Sequence, residues 1–157
     1  MLDRFRKFLS EVAEGGKHPA HFDHNDYRLA AAALLVHTAE IDGNMSDAER
    51  QKLHLVVQRM FELDEADTVA LLSEATEAEH EAIDLYHFTT VINRSLDENG
   101  RRRVVEMMWQ IVYADGRVSE FESNLIWRAA DLLGISSRDR IELGHRVASE
   151  QGHEPPP

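Results

Sequence analysis

A chain that carries the same turn twice has few ways to fold. Residues Asp42-Gly43-Asn44-Met45-Ser46-Asp47-Ala48-Glu49 align one for one with Asp115-Gly116-Arg117-Val118-Ser119-Glu120-Phe121-Glu122. Apolar positions extend the match on both sides, Leu35 with Met108, Ala39 with Val112, Leu53 with Ile126 and Met60 with Leu133. After one position of slippage, Leu63 to Asp67 parallels Ile135 to Asp139. The unit is helix, Asp-Gly turn, helix, short turn, helix. Two units predict an all-α bundle of seven to eight helices with an internal pseudo-two-fold repeat. The two turns are expected to lie near one another.

The remaining sequence agrees with that reading. Apolar residues recur with helical period in nearly every segment, and none shows the sustained alternation of a half-buried strand. The spacing predicts a short helix over Leu2–Val12, ended by Gly15-Gly16, and then helices over about 26–41 and 47–61. Asp64 is placed to cap the next helix, and Leu85–Ile92, Val104–Val112, Leu125–Leu133 and Ile141–Val147 mark the inner stripes of the rest. The domain expectation is an N-terminal helix and polar linker over 1–24, a helical domain over 25–150 and a disordered tail over 151–157. Acidic residues outnumber basic ones 29 to 17, for a net charge of −12, which disfavours a nucleic-acid phosphate backbone as partner. The chain has no cysteine, so disulfides, thiolate catalysis and thiolate metal sites are excluded. With no signal-type or membrane-length apolar run, the expectation is a cytoplasmic protein.

Much of the repeated turn has a structural reason. Gly43 and Gly116 suit the left-handed position that follows a helix. Ser46 and Ser119 suit N-caps, and Glu49 and Glu122, three residues on, complete Ser-x-x-Glu capping boxes. Asp42 and Asp115 are not covered by capping. Read as the last residues of their helices, they sit where the macrodipole is negative and a carboxylate is disfavoured, so each calls for a compensating partner such as a cation. The motif also resembles the second half of an EF-hand loop. However, Thr38 and Glu40, or Ile111 and Tyr113, would fill the first and third ligand positions, so the leading Asp is missing from both copies. The candidate metal ligands are therefore Asp42, Glu49, Asp115 and Glu122. Their oxygens suit Ca²⁺, Mg²⁺ or Mn²⁺ better than Zn²⁺. Like charges held together raise one another's pKa, so such binding is expected to weaken in mild acid.

The segments Ala39–Arg50 and Tyr113–Glu122, with Leu132-Leu133-Gly134-Ile135 downstream, resemble the TerB-like tellurite-resistance family over about residues 25–150. That resemblance implies an all-helical bundle and non-enzymatic work in chemical-stress systems. There, acidic motif residues would chelate metal and the domain would contact partner proteins, membrane-associated stress proteins among them. By position, the acidic set it implies is again Asp42, Glu49, Asp115 and Glu122. A protein-interaction or homodimerisation module with purely structural turns is the alternative.

Other features carry weaker expectations. His18, His21 and His24 form a His-rich segment, but Pro19 and the preceding glycines point to a loop rather than a helical metal site. His37 reads as a satisfied helix histidine. The run from Glu62 to Asp84 is acidic, with no Lys or Arg between Arg59 and Arg94, and reads as a solvated face. Arg101-Arg102-Arg103 opens a helix against the dipole preference and is expected to be exposed, to pair with that acidic run or to bind an anion. Trp109 and Trp127 read as core or interface. No phosphate-binding Gly loop, nucleophile elbow or HExxH is present, and the chain is expected not to be an enzyme.

Overall fold

A computed structural model describes residues 26–43 and 45–152, with the backbone alone at Asp115. The Leu2–Val12 helix, the His18, His21 and His24 segment and the tail beyond Gly152 lie outside the described residues. Seven α-helices are present among those described: α1 (Tyr27–Glu40), α2 (Asp47–Phe61), α3 (Glu65–Glu81), α4 (Tyr86–Ser95), α5 (Glu98–Val112), α6 (Glu120–Leu132) and α7 (Ser137–Glu150). A single 3₁₀ turn, Tyr113–Asp115, follows α5. None of these helices is long and apolar enough to cross a membrane.

Helix α1 is the axis of the bundle because its stretch from Leu29 to Val36 is apolar around its whole circumference. Ala30 to Ala33, Leu34, Leu35 and Val36 are all buried, and the helix packs against α2, α3, α4, α5 and α6. A helix buried on every side needs small residues where its neighbours come closest, which the alanine run supplies. Asp26 caps it, accepting the Arg28 N–H at 2.9 Å while its other oxygen pairs with the Arg28 guanidinium at 2.7 Å. Around this axis, α2, α5, α6 and α7 are amphipathic. Leu53, Val57, Val104, Met108, Ile111, Leu125, Ile126 and Val147 point into one continuous core.

The helices that follow the two Asp-Gly turns, α2 and α6, end in the same way. Ile135 N–H donates to Ala130 O (2.9 Å) with Gly134 at φ 71°, as Leu63 N–H donates to Gln58 O (3.1 Å) with Glu62 at φ 53°. The following helices are capped by Asp64, which accepts from Asp67 N–H (2.8 Å), and by Ser136, which accepts from Asp139 N–H (3.1 Å).

Two expectations change. The acidic run is not simply a solvated face: Asp64 is a cap, Asp67 is buried, and Glu79 is largely buried. Asp67 keeps Oδ2 without a hydrogen bond, and burial, then the neighbouring Asp64 carboxylate, pushes its carboxyl up to about 6. The arginines of α5 do not serve that run. Arg101 donates to Leu133 O at 3.1 Å, neutralising a carbonyl at the end of α6, and Arg102 pairs with Asp139 in the first turn of α7 at 3.2 Å. The two tryptophans, read as core or interface, take different places. Trp109 is buried with its indole N–H on Arg140 O (3.1 Å), whereas Trp127 is half exposed.

Candidate metal centre at the paired turns

Both Asp-Gly turns are closed by the same set of bonds. Gly43 N–H donates to Glu40 O (2.9 Å) and Gly116 N–H to Tyr113 O (3.1 Å). Both glycines are left-handed, at φ 97° and 85°, a conformation that side chains with a Cβ resist. Ser46 Oγ accepts from Glu49 N–H (3.0 Å) while Glu49 Oε1 accepts from Ser46 N–H (3.1 Å). Ser119 and Glu122 repeat the exchange at 3.1 and 2.9 Å. Met45 and Val118, the apolar members of the motif, pack against the core and bring each cap to the bundle surface. Both expected capping boxes are therefore present.

The turns also touch. Ser119 Oγ donates to Asp42 Oδ1 at 2.9 Å, so the cap of the second turn is bonded to the leading carboxylate of the first. Asp42 is not the last residue of α1. It lies beyond the C-cap Ile41, is exposed, and finds its compensating partner in that hydroxyl rather than being left against the helix end. For Asp115, only the placement at the end of the 3₁₀ turn is described.

Glu49 and Glu122 are 4% and 2% exposed, unusual burial for carboxylates and the price of using them as reciprocal caps on a packed seam. Glu122 spends one oxygen on the cap. The other, Oε2, is buried without a hydrogen-bond partner. Burial is the main cause that pushes the Glu122 carboxyl up to about 7. The Ser119 N–H and hydroxyl pull the other way, and the charges of Asp42 and Glu49 add to the rise. Three of the four expected acidic residues thus share one electrostatic neighbourhood. Asp42, Glu49 and Glu122 do not by themselves close to ligand spacing. Among the described residues, the group whose donor atoms all lie within 4.8 Å of one another is Glu40, Glu79 and His80, which no sequence motif had marked.

This arrangement defines a class: an all-helical bundle whose two capped turns meet in an acidic seam. Residues 28–145 match the family model described as tellurite resistance protein TerB, and the chain belongs to that family. No curated protein and no solved structure matches it.

Proposed function

We propose that the chain is a non-enzymatic module of a stress-response system that binds a divalent cation at the paired turns through Asp42, Glu49, Asp115 and Glu122. The observation that carries this reading is the orphaned, buried Glu122 Oε2 beside the Asp42 carboxylate. A dry carboxylate oxygen with no donor, next to a second negative charge, is costly unless a proton or a cation meets it. These residues fit a hard cation because they offer carboxylate oxygens alone. Glu122 and Asp42 would contact the ion, Glu49 would stay mainly a cap, and the ion would supply charge neutralisation that ties the two turns together.

Calorimetry with Ca²⁺, Mg²⁺ and Mn²⁺ tests this. The expected result is saturable binding that is lost in Asp42→Asn/Asp115→Asn. No heat and no thermal shift with any of the three ions, or an unchanged response in the double variant, would overturn it. A second reading, a protein-interaction or dimerisation module with purely structural turns, draws on the capping boxes and the Ser119–Asp42 bond, which already occupy several of these oxygens. Its mark would be partner capture that persists in chelator.

A further inference from the structure

Glu40 closes α1, while Glu79 and His80 stand in the last turn of α3, which packs alongside it. His80 Nε2 lies 3.3 Å from Glu40 Oε2 and 3.4 Å from Glu79 Oε2. The other oxygen of Glu79, Oε1, is held by His37 Nδ1 at 2.8 Å. That bond turns Oε2 toward the cluster, where it is buried and makes no hydrogen bond. The four side chains thus form two tiers, with one imidazole nitrogen and two carboxylate oxygens in front and a histidine fixing one carboxylate from behind.

Two carboxylates held this close on packed helices need positive charge between them. His80 is well exposed, so water competes for its interactions with both carboxylates, and it is a weak counter-charge on its own. All three donor atoms are of kinds that a transition metal takes.

We propose that Glu40, Glu79 and His80 form a Zn²⁺ site, with His37 as the residue that positions Glu79. It differs from the paired turns in place and in donor chemistry, since one imidazole nitrogen with two carboxylate oxygens selects Zn²⁺ over Ca²⁺ or Mg²⁺. Three protein donors leave at least one coordination position open. Glu40 and His80 line a surface groove of about 730 Å³, from which water or a partner's side chain completes the shell. His37 acts as hydrogen-bonded outer partners of metal ligands do, by fixing the orientation of the carboxylate it holds.

The test is Zn²⁺ calorimetry on the full chain, with Co²⁺ absorption as a probe of the ligand set. The expected result is one saturable site whose affinity falls at least tenfold in His80→Ala and in Glu79→Gln, and about tenfold in His37→Asn. The Co²⁺ ligand-field bands should disappear in His80→Ala. Because His80 is exposed, that variant should fold even if Glu79→Gln does not. Asp42→Asn/Glu122→Gln should bind Zn²⁺ like the parent, which separates this site from the paired turns. A variant with His18, His21 and His24 replaced by alanine should do the same. No saturable Zn²⁺ binding, binding unchanged in His80→Ala, or binding abolished by the His18, His21 and His24 replacements would each overturn the proposal.

Discussion

The first and second Asp-Gly turns share a sequence pattern and a hydrogen-bond pattern, yet their carboxylates are not equivalent. Glu49 and Glu122 are both buried caps; Oε2 of Glu122 is left without a hydrogen bond, and its carboxyl is pushed up to about 7. Burial is the larger part of that rise, and the seam between the turns adds to it. Asp42 of the first turn reaches across to Ser119 of the second, placing its charge against Glu122. Two turns with the same local chemistry thus differ at Glu122 chiefly through burial, with the Asp42 charge adding to it.

Titration should break the comparison most visibly. Glu122 has a folded pKa raised above its unfolded value, so the folded chain holds a proton that the unfolded chain has released between about 4.5 and 7. Its contribution is fully present below the lower value and is lost as pH rises through the upper one. Urea unfolding between pH 4.5 and 8.5 should show stability falling with pH by at most about 3 kcal/mol from this group. Glu122→Gln should remove that fall, whereas Glu49→Gln should keep it but shift it toward lower pH, because it takes away one of the charges that raise Glu122. Asp67, raised to about 6, has the same sign and should leave a smaller residual slope at lower pH in the Glu122 variant.

The serines should differ next. Ser46→Ala loses a cap and should cost about 1 kcal/mol in thermal or urea unfolding. Ser119→Ala loses the same cap together with the donor to Asp42, and should cost about 2 kcal/mol. Equal costs would mean that the cross-turn bond is unimportant in solution.

The smallest effect should come from Asp42→Asn. The amide oxygen can still accept from Ser119, so stability near neutrality should change by no more than about 0.5 kcal/mol. The variant should nonetheless move the midpoint of the Glu122 titration downward, because it removes one of the charges that raise it. An unmoved midpoint would place Asp42 electrostatically outside the seam.

The helices and both turns were legible in the sequence because their determinants are local. Period, left-handed glycines and Ser-x-x-Glu caps all act within a few residues, and α2 begins where its Ser46 cap predicts. Asp64 was likewise readable as the cap of α3. What the sequence hid was longer in range. Nothing local joins Asp42 to Ser119, and nothing local sets Glu40 against Glu79 and His80. A hint existed in His37 and Glu40, three apart on one helix, but their partners come from another helix. Burial of Asp67 and Glu79 was hidden for the same reason: an acidic run looks solvated until a neighbouring helix covers one of its stripes.

The apolar axis helix has a consequence for how any ligand would be felt. Because α1 is enclosed by α2 through α6, the amide hydrogens of its buried middle should exchange chiefly through wide openings of the bundle. Both acidic clusters hang from its C-terminal end, Glu40 as its last residue and Asp42 just beyond. A cation held at either place would therefore slow deuterium uptake along the entire axis rather than quieting one loop, and the bundle would report occupancy as a single cooperative unit.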